Sequence, residues 1–217
     1  MIVKNAVICA AGLGSRLGYD IPKCLVDIGE HKLIYYLLNA LKDVENVRIV
    51  VGFKESKVIE YVKNIRKDVI FVRNPDYKST TNSYSLFQGS HDLKDSFLTI
   101  DGDMIVDVDS LNSFFESCKP GENLIGITKS KTEDAVFVDV DESMNVTRFS
   151  RGTKTEWEWS GIAYLQNGII RSDGRYVFED LIDHLPMRGK EIHCFEIDTP
   201  DDLLLMRNNL HKINIDI

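Results

Sequence analysis

Three carboxylates stand where the sequence could hold a metal ion. Asp101 and Asp103 follow the apolar run 97–100, and Asp198 precedes Thr199 and Pro200 far along the chain. Carboxylates that follow a buried strand lie where open α/β sheets bind ligands, and Mg²⁺ prefers one or two carboxylates beside substrate phosphates. Asp198 also has a purely structural explanation, because an acidic side chain complements the dipole of a helix that begins after it. From the residues alone, both explanations of Asp198 stay open.

A glycine-rich loop with two cations follows the first apolar run of the chain. It reads AAGLGSRLG over residues 10–18, so that Arg16 lies within it and Lys23 follows it. Glycines let a backbone approach a phosphate closely, and cations neutralise the charge of a triphosphate. The glycines at 12, 14 and 18 fit neither the GxGxxG fingerprint of dinucleotide binding nor a Walker A loop. The loop therefore favours phosphoryl transfer over hydride transfer, with an ordinary glycine-rich turn as the alternative.

Two further segments carry side chains suited to small ligands. Residues 74–86 offer hydroxyls and an amide that cap a helix or bind the edge of a pyrimidine. Trp157 and Trp159 alternate with glutamates, so an extended chain places both rings on one face. Such a pair cages an ammonium group through cation–π contacts, or it packs as an aromatic stripe against helices. Glu179 and Asp180 pair with an amine or simply begin a helix.

The pattern of apolar residues predicts the elements that position these side chains. Through the first half of the chain, short β-rich runs alternate with helical spacing, which is typical of an α/β fold with a largely parallel sheet. The predicted strands are 6–11, 47–51, 69–72 and 97–101, and the predicted helices are 32–41, 56–65, 82–91 and 109–117. Beyond residue 120 the predicted strands are 124–128, 135–140, 146–149, 159–165 and 192–196, with helices at 178–184 and 200–210. We predict a single domain, 1–217.

Composition excludes several classes of protein. Hydrophobic residues make up 43% and charged residues 28% of the 217, as in ordinary globular enzymes and unlike disordered chains. The net charge of −8 argues against a nucleic-acid-binding surface, which needs a broad basic face. The apolar stretch 6–11 is far shorter than a membrane span or the core of a signal peptide. We therefore expect a cytoplasmic protein without membrane insertion.

The first loop resembles the signature of a known superfamily. AAGLGSRLG at 10–18 followed by IPKCLVDIG at 21–29 is similar to the GxGxR and PK motifs of the sugar nucleotidyltransferases, the MobA-like NTP transferases. The short spacer is more similar to the cytidylyltransferases for phosphocholine, aminoethylphosphonate and inositol-1-phosphate than to the hexose-1-phosphate enzymes. Segments 74–86, 101–104, 178–181 and 196–203 resemble further motifs of those cytidylyltransferases in the same order, although Ser83 stands where an asparagine is frequent.

The resemblance implies a fold and a set of site residues. The fold is a Rossmann-like three-layer α/β sandwich with a mostly parallel mixed central sheet, in which 1–120 binds the nucleotide and 121–217 the acceptor. Arg16 and Lys23 act as catalytic residues on phosphates, and Asp103 and Asp198 bind Mg²⁺. The residues implied in nucleotide binding are Ala10, Ala11, Gly12, Gly14, Ser15, Thr81, Asn82, Ser83 and Asp101. Those implied in acceptor binding are Trp157, Trp159, Glu179 and Asp180.

The resemblance also implies a reaction. A phosphate or phosphonate acceptor attacks the α-phosphorus of CTP and pyrophosphate leaves, which supplies precursors of cell-surface glycans such as capsule, or of lipid head groups. A phosphate with a second pKa of about 6 is already anionic near neutral pH, so no general base is required. The tryptophans favour phosphocholine as the acceptor. The alternatives are a hexose-1-phosphate nucleotidyltransferase and a nucleotide-sensing module without activity, and the chain is expected to be a monomer or a homodimer.

Overall fold

The computed structural model describes residues 2–131, 133–173 and 176–215. Its strands are β1 (Asn5–Ala10), β2 (Asp27–Ile28), β3 (His31–Lys32), β4 (Asn46–Val51), β5 (Ile70–Arg73), β6 (Phe97–Asp101), β7 (Met104–Val106), β8 (Leu124–Lys129), β9 (Phe137–Val140), β10 (Asn145–Ser150), β11 (Trp157–Leu165), β12 (Met187–Glu191) and β13 (Cys194–Glu196). Its helices are α1 (Leu33–Ala40), α2 (Glu55–Ile65), α3 (Asn82–Ser90), α4 (Val108–Ser117), α5 (Val177–Ile182) and α6 (Pro200–Asn209). The predicted helices and strands are all present, with small shifts at their ends.

Nine strands form one mixed sheet in the order β5-β4-β1-β6-β11-β8-β12-β10-β9. The first four are parallel neighbours, whereas in the other half only β8 and β12 pair in parallel. The prediction of a mixed sheet is therefore confirmed, but parallel pairing dominates only in the N-terminal half, and the C-terminal half is mostly antiparallel. The reason is the length of the connections. Only 141–144 separates β9 from β10, which suits a hairpin and is too short for the crossover that parallel strands need.

The two faces of the sheet pack against different helices. Successive residues of β1 point to opposite faces, so Ile8 and Val7 belong to different cores. The core that contains Ile8 also takes buried residues from α1, α2, α4 and α6, among them Leu37, Val58, Phe114 and Leu203. The core that contains Val7 takes buried residues from α3 and α5, among them Leu86 and Leu181. Burial on both sides explains why β1 and β6 are almost uniformly apolar.

The order of the strands creates a crevice at one point of the sheet edge. From β1 the chain adds β4 and then β5 on one side, and it then crosses to place β6 on the other side of β1. In open α/β sheets, ligands bind at the carboxyl ends of the strands where the order reverses in this way. The reversal here lies between β1 and β6, which pair in parallel with Cys9 opposite Asp101.

A short antiparallel ladder lies beside this crevice and pairs β7, which is absent from the predicted elements, with β13, which lies within the predicted strand 192–196. Glu196 pairs with Met104, and the backbone N–H of Ile197 donates to the carbonyl of Asp103 at 2.9 Å. The ladder therefore carries the chain that follows β13 to the chain that follows β6. Among the described residues, no helix is both long enough and apolar enough to cross a membrane.

Candidate active site

Three carboxylates converge beside the carboxyl end of β6. Asp103, Glu196 and Asp198 each offer one oxygen, and these oxygens lie within 4.8 Å of one another. Asp103 lies two residues after the end of β6 and directly before β7, while Glu196 ends β13 and Asp198 lies two residues beyond it. The β7–β13 ladder is what brings them together, although Asp103 and Asp198 are far apart in sequence. We call these three residues the acidic trio.

Both cations predicted to be catalytic contact the acidic trio. The ammonium of Lys23 donates to Asp103 Oδ2 at 3.0 Å and also to Asp198 Oδ1. The guanidinium of Arg16 pairs with the other oxygen of Asp198, Oδ2. Lys23 lies at the floor, with a side chain 16% exposed, whereas Arg16 lies at the rim with 67% exposed. Asp198 also lies directly before Thr199, the cap of α6, whose hydroxyl accepts from Asp202 N at 3.2 Å, so its charge complements the dipole of that helix as well as the two cations.

Burial and neighbouring negative charge together raise the pKa values of two carboxyl groups at this site. Desolvation, followed by the charges of Asp103 and Glu196, raises the pKa of Asp101 well above its usual value. Desolvation, and then the charge of Asp103, raises the pKa of Glu196 to about 7. The repulsion from Asp103 is the second cause of the raised pKa of Glu196, and a cation bound between the two carboxylates would relieve it.

The donor set fits a hard divalent cation. Asp101 and the acidic trio supply four carboxylates, against the two positive charges of Arg16 and Lys23, so full ionisation leaves an excess of two negative charges. Carboxylate oxygens are the ligands that Mg²⁺ takes, usually with substrate phosphates and water completing its octahedron. Glu196 was not predicted as a site residue. Its place two positions before Asp198 at a strand end was the available signal, because such residues share a face in extended chain.

A first cleft extends from the acidic trio along the glycine-rich loop to the start of α3. We define it by its lining residues, which are Cys9, Ala10, Ala11, Gly12, Gly14, Arg16, Lys23, Cys24, Tyr77, Thr80, Thr81, Asn82, Ser85, Asp101, Gly102, Asp103, Tyr176, Glu196 and Asp198. Most residues predicted to bind the nucleotide or metal are brought together here. Two are not. Ser15 is exposed at the start of the 3-10 turn Ser15–Leu17. Ser83 lies in α3, and its side chain is fully buried.

Gly14 holds the loop in its shape over Lys23. Its φ of +62° is a conformation that favours glycine. A Cβ placed on Gly14 would lie 2.6 Å from Cγ of Lys23, so the aliphatic part of Lys23 passes directly against the loop backbone. At the other end of the loop, the Ala11 carbonyl accepts from Phe53 N at 3.0 Å. The glycine-rich sequence is therefore needed to position the Lys23 ammonium.

A second cleft opens from the same acidic trio towards the C-terminal half. We define it by its lining residues, which are Arg16, Asn82, Asp101, Lys131, Glu133, Asp134, Ala135, Val136, Arg151, Glu158, Trp159, Gly161, Tyr176, Phe178, Phe195, Glu196, Asp198, Thr199, Asp201, Asp202 and Leu205. It joins the first cleft at Arg16, Asn82, Asp101, Tyr176, Glu196 and Asp198. The junction is therefore the place where two bound molecules would meet beside the acidic trio.

A bulge in β11 shapes the wall at this junction. The register between β11 and β8 shifts between Trp159 and Ala163, and Gly161 has a φ of +76°. A Cβ on Gly161 would lie 2.8 Å from Sδ of Met104 and 3.0 Å from Oδ2 of Asp101. The glycine therefore leaves the space that the Asp101 carboxylate occupies, as is common for bulges beside functional sites.

Of the four residues predicted to contact the acceptor, only Trp159 lines the second cleft. Trp157 shares its face of β11 but is buried, with the Lys129 ammonium 3.7 Å from its ring centroid. Glu179 caps α5, because its carboxylate accepts from Tyr176 N at 2.8 Å. Asp180 lies on the buried face of α5. Its carboxylate accepts from the hydroxyl of Ser83, and its Oδ1 is 3.5 Å from Nε of Arg171. The placement of Trp157, Glu179 and Asp180 corrects the prediction that they contact the acceptor.

We expect the Asp180→Ala substitution to lower stability and to leave acceptor binding intact. It removes a buried carboxylate that holds α3 to α5 through Ser83, which should cost about 1–3 kcal/mol in the free energy of unfolding. Asp183→Ala is the matched control, because Asp183 pairs with the same Arg171 at 3.0 Å but is 49% exposed. Urea denaturation and the KM of the acceptor test this expectation. A raised acceptor KM with unchanged stability in Asp180→Ala would return Asp180 to the acceptor site.

Comparison with known proteins shows what the chain is similar to. A relative is the bifunctional protein GlmU of Methanococcus aeolicus, 25% identical over 97% of this chain and 49% of the relative. Another is the 2-aminoethylphosphonate cytidylyltransferase of Lancefieldella rimae, 28% identical over 74% of this chain and 66% of the relative. The chain spans about half the length of the GlmU relative that it matches.

Solved structures share the fold over nearly the whole chain. The inositol-1-phosphate CTP transferase of T. maritima has a TM-score of 0.82 at 20% identity, covering 98% of this chain and 96% of its own. The CTP:phosphocholine cytidylyltransferase LicC of Streptococcus pneumoniae has a TM-score of 0.80 at 22% identity, covering 96% and 100%. The profile of the MobA-like NTP transferase domain matches residues 6–160, which is more than half of the sequence. The resemblance seen in the motifs is thus confirmed, and the chain belongs to the family of MobA-like NTP transferase domains.

Proposed function

We propose that this protein is a Mg²⁺-dependent cytidylyltransferase that joins CTP to a small phosphorylated alcohol or phosphonate and releases pyrophosphate. The observation that carries the proposal is the junction of the two clefts at the acidic trio, with Arg16 and Lys23 at the same point. A nucleotidyl transfer needs such an arrangement, because two anionic substrates must meet beside a metal ion and compensating cations.

The reaction is an in-line displacement. An oxygen of the acceptor forms a bond to the α-phosphorus of CTP, while the bond from that phosphorus to the bridging oxygen breaks and its electron pair leaves with pyrophosphate. Asp103, Asp198 and Glu196 would hold Mg²⁺, which when bound would neutralise charge on the α-phosphate and the attacking oxygen. Lys23 and Arg16 exchange their carboxylate partners for the phosphates of the triphosphate and so stabilise the developing charge.

The residues divide between the two substrates. The loop Ala10–Gly14 and the start of α3, Thr81 and Asn82, hold the nucleotide in the first cleft, and the acceptor occupies the second. The nucleotide half 1–120 supplies most of the first cleft, while Tyr176, Glu196 and Asp198 reach it from the acceptor half. We also infer a Rossmann-like three-layer arrangement, which the two cores on opposite faces of the sheet support.

The lining of the second cleft determines which class of acceptor we propose. Phosphocholine was favoured because two tryptophans would cage its head group, but only Trp159 lines the second cleft. We therefore propose the broader class of phosphorylated alcohols and phosphonates, with phosphocholine as one candidate, in the supply of precursors for surface glycans or lipid head groups. The relatives' names, which include aminoethylphosphonate and inositol-1-phosphate transferases, support this breadth.

Pyrophosphate release is the experiment that tests the proposal. The purified protein is incubated with Mg²⁺, each of the nucleoside triphosphates, and a panel of phosphocholine, aminoethylphosphonate, inositol-1-phosphate and hexose-1-phosphates. We expect release with CTP and one of the first three acceptors. Release only with a hexose-1-phosphate would favour the sugar enzyme. Tight CTP binding without turnover of any acceptor would favour a nucleotide sensor and contradict the proposed activity.

A further inference from the structure

We propose that Arg151 binds the phosphate or phosphonate group of the acceptor in the second cleft. This inference rests on the proposed function and adds a specific residue to it. Arg151 follows β10, in a turn that lines the second cleft together with Glu196 and Asp198 of the acidic trio. It was not among the residues singled out by sequence, because no motif marks it.

The guanidinium of Arg151 is held in place by two aromatic rings. Its Cζ lies 4.7 Å from the ring centroid of Tyr176 and 5.0 Å from that of Phe178. The two rings are 6.1 Å apart and nearly parallel, at 16°, so they form one platform at the start of α5. Contact with two aromatic rings restricts the position of the guanidinium, and because Arg151 is exposed its N–H donors stay accessible to a ligand in the cleft. A pre-oriented set of donors costs less entropy when it binds an oxyanion.

Arg151 is also the cation whose charge is not already compensated. Three cations line the described part of the second cleft, namely Arg16, Lys131 and Arg151. Arg16 pairs with Asp198, and Lys131 lies 3.6 Å from Glu158. Within residues 2–131, 133–173 and 176–215, Arg151 forms no ion pair, although Glu133, Asp134 and Asp201 line the same cleft. An exposed guanidinium without a carboxylate partner is suited to bind an anion that arrives from solution.

The negative charges of the two substrates in the proposed reaction require a cation in the second cleft. In the proposed reaction Arg16 and Lys23 compensate the triphosphate, so the acceptor dianion needs a positive charge of its own to enter an otherwise acidic cleft. Tyr176 lines both clefts, and Arg151 stacks on Tyr176, so the guanidinium lies next to the junction. The same stack covers ring faces that a trimethylammonium group would need for a cage. Tyr176 and Phe178 therefore serve the anionic end of the acceptor, because they position Arg151.

The test compares Arg151→Ala and Arg151→Lys with Arg148→Ala. Arg148 is a suitable control because it lies three residues earlier, pairs with Asp139 at 2.6 Å and does not line either cleft. With the acceptor that the wild type turns over, we expect Arg151→Ala to raise the acceptor KM by about 10- to 100-fold, with the KM of CTP within about 2-fold of wild type. Arg151→Lys should recover part of the loss, because it keeps the charge but not the planar fork.

A binding measurement separates this inference from the proposed function. Inorganic phosphate is titrated by calorimetry into each protein after α,β-methylene CTP and Mg²⁺ have filled the first cleft, which needs no turnover. Weaker phosphate binding by Arg151→Ala, with Arg148→Ala unchanged, supports the inference even if no acceptor of the panel reacts. Equal phosphate binding and an unchanged acceptor KM in Arg151→Ala would overturn it while leaving the cytidylyltransferase activity standing.

Discussion

Replacing Lys23 by alanine should lower kcat by about 10²- to 10³-fold, the usual effect of removing one donor that stabilises charge in a transition state. Lys23 is the cation at the floor of the site, 16% exposed and held between Asp103 and Asp198. Once a nucleotide is bound, the same ammonium is within reach of its phosphates. Initial rates of pyrophosphate release at saturating CTP measure the loss.

The stability of this variant should depend on the metal ion. Without Lys23, four carboxylates face the single charge of Arg16. Their mutual repulsion should lower the melting temperature when EDTA is present, and Mg²⁺ should restore it by binding among them. Lys57→Ala is the control, because Lys57 is an exposed residue of α2 and lines neither cleft. A melting temperature lowered equally with and without Mg²⁺ would mark Lys23 as a structural residue, and unchanged kcat would exclude its catalytic role.

The sequence predicts those parts of the site whose residues are neighbours in the chain better than those whose residues are far apart in it. The glycine-rich loop and the strand before Asp101 are local patterns, and local patterns predicted the elements well. The meeting of Asp103 with Asp198 was inferred from motif order, and the structure brings the two together through β7 and β13. β7 has three residues, which is too short for a periodic signal, and the predicted strand 192–196 contains β13 without showing that it pairs with β7.

The site residues whose surroundings were predicted wrongly are those that distant segments of the chain cover. Alternation put Trp157 and Trp159 on one face of β11 but could not show that Lys129 covers Trp157 and leaves Trp159 at the cleft. Asp180 reads as an exposed helix-start carboxylate, and its burial depends on Ser83, which is nearly a hundred residues away. The polar strand β12, MRGKE, went unpredicted because it enters the sheet through backbone pairing with β8 and β10. Contacts between distant segments are set by tertiary packing, which a single sequence does not display.

Replacing Asp198 by asparagine should have the second large effect, a loss of about 10³-fold in kcat/KM, because it weakens metal binding and frees both cations at once. Asp198 contacts Arg16 through one oxygen and Lys23 through the other, and it belongs to the acidic trio. Glu196→Gln should cost only about 10-fold if Glu196 holds the metal through water, and as much as Asp198→Asn if it binds directly. Binding of Mn²⁺ followed by electron paramagnetic resonance separates these two cases without turnover.

The same substitution also makes a prediction for stability. Asp198 pairs with both Arg16 and Lys23, so Asp198→Asn should melt below the wild type without metal, and Mg²⁺ should not restore the melting temperature because a metal ligand has been lost. Asp109→Asn is the matched control, since Asp109 is an exposed carboxylate in the first turn of α4 and lines neither cleft. If Asp198→Asn kept full activity and full Mn²⁺ affinity, the acidic trio would not be a metal site, and its contacts with Lys23 and Arg16 would be structural.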